Sequence, residues 1–294
     1  MTDNPQHASD PPRSALDRDP HRVESTVVAF LRERVESAGA DGVVVAMSGG
    51  LDSTVTATLA VEALGPDRVL GLGLPCHKTD ASAAMEAAAV ADHLGIEFRR
   101  TQLRPLLHQF EQHLVPELTP DEEPGPTPTP DRALENAIAR LRMVCAYYAA
   151  NRMNRLVVGT ANRSELLLGY VTKYGDAAAD LFPLGGLYKT EVRELGSHLG
   201  LPKPIVEKRP SAGLFPGRTD ADELGATYDV IDPLLRRVVD EGESVGVATQ
   251  SLDIEPDTAQ RLISMCAETA HKRAMPPVAE VADRSRRPAP DDAE

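Results

Sequence analysis

The most informative stretch of this chain is Val43-Val44-Val45-Ala46-Met47-Ser48-Gly49-Gly50-Leu51-Asp52-Ser53-Thr54. Its run of β-branched residues predicts a buried parallel strand, and the pattern from Ser53 to Leu64 predicts a helix directly after it. The two adjacent glycines let the backbone approach a ligand closely, and the N-terminus of the helix adds partial positive charge. The turn is therefore predicted to bind an anion.

The polar residues of this turn indicate which anion it binds. The hydroxyls of Ser48 and Ser53 can donate hydrogen bonds to phosphate oxygens. Asp52 would repel a phosphate unless a divalent cation lay between them. Ser-Gly-Gly-x-Asp-Ser thus predicts a loop for pyrophosphate and magnesium, distinct from the Gly-x-x-x-x-Gly-Lys-Ser/Thr loop. The alternative is an ordinary strand-to-helix turn, and the full six-residue pattern after a strand argues against it.

This loop resembles the signature of the N-type ATP pyrophosphatases. The resemblance implies cleavage of ATP between its α and β phosphates, with AMP passed to a substrate oxygen. The loop does not select one member of that superfamily. GMP synthetases, asparagine synthetases and tRNA-modifying enzymes resemble it equally.

Composition limits the classes of protein that remain. A chain of 294 residues with 41% hydrophobic residues can bury the core of one α/β domain with tails. The net charge of −14 argues against a nucleic-acid surface. No run reaches the roughly 18 apolar residues of a membrane span, and the N-terminus lacks an apolar signal core. Three widely spaced cysteines argue against a disulfide framework or a zinc site built on them, and we expect a cytoplasmic protein.

Hydrophobic periodicity predicts a doubly wound parallel sheet with helices on both faces and ligands at the carboxyl ends of its strands. Further strands are predicted at Val69–Pro75, Ile96–Leu103 and Leu156–Gly159. Further helices are predicted at Arg22–Ala38, Ala81–Leu94, Ala133–Asn151, Thr190–Leu199 and Asp257–Arg273. We expect one domain over 21–275, with a disordered arm at 1–20, a disordered tail at 276–294 and a flexible acidic, Pro-rich loop at 115–131.

Residues 158–189 form a second constellation of special residues. Gly159-Thr160 lies at a predicted strand end, where a small turn can face a nucleotide. Glu165 stands where a helix is expected to begin, and its carboxylate could complete a magnesium shell begun by Asp52. The alternative for Glu165 is a first-turn glutamate favoured by the helix dipole. The dense set of polar residues and glycines beyond it is unusual for a purely structural loop.

Several motifs in this part of the chain resemble the ammonia-dependent NAD synthetases. They are Asn162-Arg163-Ser164-Glu165, Thr172-Lys173-Tyr174-Gly175-Asp176, Leu187-Tyr188-Lys189-Thr190, Lys208 to Pro210 with Ser211-Ala212, Thr219-Asp220-x-Asp222-Glu223-Leu224-Gly225 and His271-Lys272-Arg273. Their order and spacing fit that family over residues 23–275. Ala177-Ala178, Gly185-Gly186 and Gly213 depart from the residues that are frequent in it.

The resemblance implies a role for each matched residue. ATP would contact Ala46, Met47, Ser48, Gly49, Gly50, Leu51, Asp52, Ser53, Thr160, Lys189 and Ser211. Mg²⁺ would be held by Asp52 and Glu165. Deamido-NAD⁺ would contact Arg140, Lys173, Asp180, His271 and Lys272, the last two from the partner subunit of a homodimer. Without the resemblance, Arg140 and His271 would be interpreted as solvated charges.

The implied reaction converts the nicotinate carboxylate of deamido-NAD⁺ to an amide. That carboxylate attacks the α-phosphorus of ATP, pyrophosphate leaves, and ammonia opens the acyl-adenylate to give NAD⁺ and AMP. No covalent nucleophile is needed, because Lys189 and Asp52 stabilise charge. The sequence shows no amidotransferase domain, so free ammonia is the expected donor. Lys208 to Gly225 is predicted to be a lid.

Two rival functions remain open from the sequence. The first is another adenylating enzyme of the superfamily, which would act on a different carboxylate or base. The second is a regulatory protein that senses ATP or NAD⁺ without chemistry. Asp52, Glu165 and Lys189 argue against the second, because binding alone does not require a metal shell at pyrophosphate.

Overall fold

A four-stranded parallel sheet forms the centre of the fold. The computed structural model describes residues 19–77, 80–119, 132–211 and 219–279. Its strands are β1 (Gly42–Ala46), β2 (Val69–Gly73), β3 (Glu97–Arg100) and β4 (Arg155–Val158), in the spatial order β3-β2-β1-β4. Val43 of β1 is in register with Val69 of β2 on one side and with Leu156 of β4 on the other.

The strand order fixes where a ligand can bind. The chain runs outward from β1 to β2 and β3, and then crosses back to place β4 on the other side of β1. Neighbouring connections therefore diverge at the carboxyl ends of β1 and β4, which opens a crevice between them. The loop at 48–50 follows β1, and the segment from Gly159 follows β4, so both predicted site segments border this crevice.

Helices cover both faces of the sheet. The first half of the chain contributes α1 (Pro20–Ser37), α2 (Leu51–Leu64), α3 (Asp80–Leu94), α4 (Arg104–Gln109) and α5 (Val115–Leu118), with a π-helical turn between the last two. The second half contributes α6 (Arg132–Arg152), α7 (Arg163–Leu168), α8 (Lys189–His198), α9 (Lys203–Val206), α10 (Asp220–Leu224), α11 (Tyr228–Leu235), α12 (Val245–Ala248) and α13 (Pro256–Glu268).

Three apolar clusters hold these elements together. The first packs α1, α2 and α8 against one face of the sheet, and includes the fully buried Leu31 and Leu59. The second packs α4 and α6 against the other face around Leu70. The third joins α7 to the helices α10 to α13. Each fully buried leucine contributes about 1.5–3 kcal/mol relative to an exposed one, so α7 and α8 are firmly placed.

The predicted doubly wound parallel sheet is confirmed, while several predicted element boundaries differ from those of the structure. The strand predicted at Ile96–Leu103 is confined to Glu97–Arg100, because Pro75 has no N–H with which to extend the ladder beyond β2. The loop predicted at 115–131 begins later, since Val115–Leu118 is helical and Pro116 lies in a first helical turn, where proline is tolerated. Residues 120–131 lie outside the described part.

The helix predicted at Asp257–Arg273 ends at Glu268, because Thr269 to Arg273 folds back onto α7. The predicted arm at 1–20 and tail at 276–294 lie almost wholly outside the described residues. Across the described ranges, we find no helix that combines the length and the apolar character needed to cross a membrane.

Candidate active site

The loop between β1 and α2 has the geometry of an anion cradle. Gly49 has a φ of +71°, and a Cβ there would lie 2.5 Å from the carbonyl oxygen of Ala83. Only glycine fits at this position. The backbone N–H of Ser48 donates to Oγ of Ser53 over 3.3 Å, and that hydroxyl donates to the carbonyl of Gly50 over 3.1 Å. The loop is thus held in shape before any ligand arrives.

The remaining residues of this loop contribute through their backbone. Gly50 is the N-cap of α2 and has no side chain to occupy the first N–H groups of the helix. The side chains of Met47 and Leu51 are buried in the first apolar cluster, so they can offer a phosphate only their main-chain groups. Ala46 ends β1, and Thr160 follows β4 across the crevice.

Lys189 lies between two carboxylates that come from different helices. Its Nζ forms an ion pair with Oδ2 of Asp52 and lies 3.6 Å from Oε1 of Glu165. The lysine side chain is only 7% exposed. Burial alone would lower the pKa of Lys189, but the two carboxylates outweigh it and hold that pKa above its ordinary value. Lys189 is therefore a fixed positive charge beside the anion cradle.

Burial and the neighbouring Asp52 raise the pKa of Glu165 to about 8, although Lys189 opposes the shift. A pair of carboxylates this close and this poorly solvated attracts a further cation. Carboxylate oxygens are hard ligands of the kind that Mg²⁺ prefers. Asp52 and Glu165 therefore fit the magnesium ion that the sequence implies.

Asn162 connects the same two carboxylates from the other side. Its Nδ2 donates to Oδ1 of Asp52 over 3.0 Å, and its backbone N–H donates to Oε2 of Glu165 over 3.2 Å. Its Oδ1 accepts from the backbone N–H of Glu165 over 3.1 Å, which completes a capping box at the start of α7. Asn162 is fully buried. The role of Asn162 was missed from the sequence, although Asn-x-x-Glu is a capping-box pattern.

A second buried network positions Lys189 through its backbone. Oγ of Ser164 donates to Oδ1 of Asp232 over 2.6 Å and accepts from the backbone N–H of Lys189 over 3.0 Å. Oδ2 of Asp232 accepts from the backbone N–H of Thr190 over 2.8 Å. Burial raises the pKa of Asp232 to about 6, although these hydrogen bonds oppose the shift. Asp232 thereby ties α7, α8 and α11 together.

Tyr228 extends this assembly towards the predicted lid. Its ring centroid lies 5.8 Å from Nζ of Lys189, and its hydroxyl donates to Oδ2 of Asp220 over 3.0 Å. Burial and the nearby carboxylates Glu165 and Asp220 raise the pKa of Tyr228, so the phenol stays neutral. Asp220 is buried at the start of α10 and so couples that helix to the site.

The segment predicted as a lid, Lys208 to Gly225, contains two different kinds of structure. Nζ of Lys208 donates to the carbonyl of Gly49 over 3.0 Å and pairs with Glu86, so this end lies against the anion cradle. Ser211 is exposed and borders residues 212–218, which lie outside the described part. Residues 219–225 are a capped helical turn whose Leu224 is buried. Closure of a lid stays a prediction.

Arg140 and Lys173, both of which the resemblance assigns to the substrate site, lie together. Nε and Nη2 of Arg140 donate to the carbonyl of Lys173 over 3.2 and 3.0 Å. Nζ of Lys173 lies 5.2 Å from the centroid of the Tyr174 ring. Tyr174 has a φ of +61°, a conformation that is costly for a bulky residue and that clusters at functional sites.

Asp180 is held at the edge of β4. Its Oδ2 accepts from the backbone N–H of Val157 over 2.7 Å, and its Oδ1 accepts from the hydroxyl of Tyr147 over 3.0 Å. Burial, helped by this hydrogen bond to Asp180, raises the pKa of Tyr147 to about 12. The structure thus shows Asp180 joining β4 to α6, and its contact with a dinucleotide stays a prediction.

The tract His271-Lys272-Arg273 binds the end of α7 in its own chain. Nζ of Lys272 donates to the carbonyls of Gly169 and Val171 over 2.6 and 2.9 Å. Nη1 of Arg273 donates to the carbonyls of Leu166 and Leu167, both over 2.8 Å. These cations thus bind carbonyls in the last turn of α7 and in the segment that follows it. His271 is exposed.

The fold and the site define an α/β protein with the anion cradle and paired carboxylates of an N-type ATP pyrophosphatase. The profile of the NAD synthase family matches residues 23–276. The chain therefore belongs to the NAD synthase family.

Individual relatives agree with this assignment. The NH(3)-dependent NAD(+) synthetase of Methanosarcina acetivorans is 42% identical over 262 residues, which are 88% of this chain and 98% of that protein. The NH3-dependent NAD synthetase structure from Campylobacter jejuni has a TM-score of 0.72 and 28% identity, covering 90% of this chain and 100% of that one. The NMN synthetase structure from Francisella tularensis has a TM-score of 0.73 and 33% identity, covering 90% and 99%.

Proposed function

We propose that this protein amidates the nicotinate carboxylate of deamido-NAD⁺ with ammonia, and that it consumes ATP and releases AMP and pyrophosphate. This would make it a ligase that catalyses the last step of NAD biosynthesis. The observation that carries the proposal is the buried Asp52–Lys189–Glu165 group beside the anion cradle, at the crevice between β1 and β4. Family membership supplies the substrate class.

The chain's own residues supply positioning and charge in this mechanism. The loop at 48–50 and the first turn of α2 hold the phosphates by backbone N–H groups, which orients the α-phosphorus towards the substrate carboxylate. Lys189 keeps its positive charge and neutralises the pyrophosphate as it leaves. Asp52 and Glu165 would hold Mg²⁺, which adds charge neutralisation at the same phosphates.

The second half of the reaction requires only an open approach for ammonia. The acyl-adenylate has a good leaving group in AMP, so neutral ammonia can attack its carbonyl carbon without a covalent enzyme intermediate. Lys173, steadied by Arg140, is positioned to bind an anionic group of the dinucleotide. We infer that this cationic pair sets the affinity for deamido-NAD⁺ and not the chemistry at phosphorus.

We also propose that the protein acts as a homodimer. The exposed side chains of Val144 and Tyr148 lie one turn apart on α6, and they are 63% and 71% exposed. Such a pair on one helix face supports contact with a second copy of the chain. Cys76, Cys145 and Cys266 are all free thiols, which suits the cytoplasmic location that we propose.

Pyrophosphate release tests this proposal. The full chain is incubated with ATP, Mg²⁺, deamido-NAD⁺ and ammonia, and then with each component omitted. We expect pyrophosphate and NAD⁺ in equal amounts from the complete mixture, and no NAD⁺ without deamido-NAD⁺, ATP or ammonia. A parallel reaction contains nicotinate mononucleotide. Turnover of the mononucleotide alone would reassign the substrate, and binding without pyrophosphate release would indicate a nucleotide sensor.

A further inference from the structure

A cluster of two histidines and two glutamates lies on the surface formed by α1, α2 and α8. Nε2 of His198 lies 2.7 Å from Oε2 of Glu24, and Nδ1 of His21 lies 3.9 Å from the same oxygen. The two imidazole rings meet edge to face with centroids 4.2 Å apart. Glu62 also faces Glu24, and the pKa of Glu62 is raised by partial burial and by that carboxylate.

The ligand atoms of this cluster converge on one small volume. One atom each from His21, Glu24 and His198 lies within 4.8 Å of the other two. Tetrahedral zinc with bonds of about 2.0–2.2 Å places its ligand atoms roughly 3.3 Å apart. The imidazole of His21 is 79% exposed, so it can close the remaining gap by rotating its side chain. Nε2 of His198 and Oε2 of Glu24 are 2.7 Å apart, so they would separate by about 0.6 Å to admit the ion, and both side chains are largely shielded from solvent.

We propose that His21, Glu24 and His198 form a zinc site. Two imidazoles and a carboxylate suit Zn²⁺, whereas Mg²⁺ prefers oxygen ligands alone. A cation would also relieve the repulsion between the carboxylates of Glu24 and Glu62. Besides His198, Arg32 also faces Glu62, and Nε of Arg32 donates to the carbonyl of Ala63 over 3.1 Å.

The position of the cluster indicates what a bound zinc ion would do. His21 and Glu24 lie in the first turns of α1, and His198 is the last residue of α8. The first residue of α8 is Lys189, about 14 Å away at the helical rise of 1.5 Å per residue. Zinc would therefore cross-link the N-terminal end of α1 to the helix that carries the active-site lysine. This proposal does not depend on the proposed reaction.

Zinc titration of the full chain by calorimetry tests the site. Excess Mg²⁺ is present throughout, so that oxygen-only sites are already occupied. We expect one equivalent of Zn²⁺ to bind, and saturating Zn²⁺ to raise Tm by about 5 °C or more. Co²⁺ in place of Zn²⁺ should give the visible bands of a tetrahedral site without an intense thiolate charge-transfer band, which would indicate a cysteine ligand.

Variants separate this site from unspecific binding. His198→Ala and Glu24→Gln should each weaken Zn²⁺ binding at least about tenfold. His21→Ala should do the same without affecting the fold, because that side chain is mostly exposed. His93→Ala, a change at an exposed histidine of α3, is the matched control and should bind Zn²⁺ like the unaltered protein. The proposal would be overturned if Zn²⁺ did not bind in a one-to-one ratio, or if its binding survived both His21→Ala and His198→Ala.

Discussion

Asn162 donates its side-chain amide to Oδ1 of Asp52 over 3.0 Å, which joins two residues 110 positions apart in the chain. The same asparagine holds Glu165 through its backbone, and Lys189 contacts both carboxylates from the opposite side. Each carboxylate therefore has one oxygen directed to Asn162 and the other directed to Lys189. This arrangement fixes the separation of the two acidic groups before a nucleotide or a metal ion binds.

Asp52→Asn should reduce pyrophosphate release at least about 10²-fold, because it removes a negative charge from the group that orients Lys189 and would hold Mg²⁺. The measurement is the rate of pyrophosphate release over a range of Mg²⁺ concentrations. Asp92→Asn, on an exposed face of α3, is the control and should retain full activity. The loss of activity in the double variant Asn162→Ala/Asp52→Asn should be smaller than the sum of the two single losses, since both residues belong to one hydrogen-bonded group. Near-normal turnover of Asp52→Asn at low Mg²⁺ would contradict the assigned role.

Asp232 should make the stability of the protein depend on pH in the mildly acidic range. Its folded-state pKa of about 6 lies above the ordinary value of 3.8, so the folded protein holds this proton more tightly than the unfolded chain. The stabilisation is complete below pH 4 and is lost as the pH rises to 6. At 1.36 kcal/mol per pKa unit, the loss is at most about 3 kcal/mol.

Urea unfolding of the unaltered protein and Asp232→Asn at pH 4, 5, 6 and 7 measures this effect. The stability advantage of the unaltered protein should shrink as the pH rises from 4 to 6 and then level off. Asp229→Asn changes an exposed carboxylate on the same helix and serves as the control, although it also loses an ion pair with Arg193. A stability difference between the unaltered protein and Asp232→Asn that is independent of pH would contradict the raised pKa.

Lys173→Ala and Lys272→Ala should differ in what they change. Lys173→Ala should raise the KM for deamido-NAD⁺ with little change in Tm, because the side chain is only half-buried and its proposed contact with the substrate is lost. Lys272→Ala should lower the stability by about 1–3 kcal/mol, because it leaves the carbonyls of Gly169 and Val171 without their donor. Steady-state kinetics and thermal melts of both variants provide the comparison. An unchanged KM and kcat in Lys173→Ala would remove Lys173 from the substrate site.

Mixing two inactive variants tests whether the site is shared between subunits. Asp52→Asn subunits are mixed with His271→Ala subunits, and Lys272 is left unaltered because it serves its own chain. If His271 reaches the partner's site, each mixed dimer has one site free of both lesions, so activity should return. Subunit exchange is verified with differently tagged chains. Full exchange without any recovery of activity would confine each site to one chain.

Contiguous features of this site could be predicted from the sequence, and long-range pairs could not. The anion cradle and Asp52 directly follow one strand, so a stretch of about a dozen residues suffices to predict binding of a phosphate and a metal ion there. Glu165 was placed correctly at a helix start, where the structure makes it the third residue of α7. The partnership of Ser164 with Asp232 joins residues 68 positions apart, and no local pattern encodes that pairing.

The short helices of the third cluster were missed for a related reason. Helices α10 and α12 have five and four residues, too few for an apolar period to show. Their stability comes from packing, as the burial of Leu224 and Ala248 shows. The own-chain contacts of Lys272 were also unpredictable, because a cation near the end of a chain has no sequence signal for which carbonyls it will meet.

The transfer of oxygen from deamido-NAD⁺ to AMP distinguishes attack of the carboxylate on the α-phosphorus from every other route. Deamido-NAD⁺ labelled with ¹⁸O in its nicotinate carboxylate is converted with ATP and ammonia by the full chain, and the AMP, pyrophosphate and NAD⁺ are analysed by mass spectrometry. Attack of the carboxylate on the α-phosphorus predicts one ¹⁸O atom in each AMP and none in pyrophosphate. Unlabelled AMP, or label in a phosphate product other than AMP, would contradict activation of the carboxylate as an acyl-adenylate.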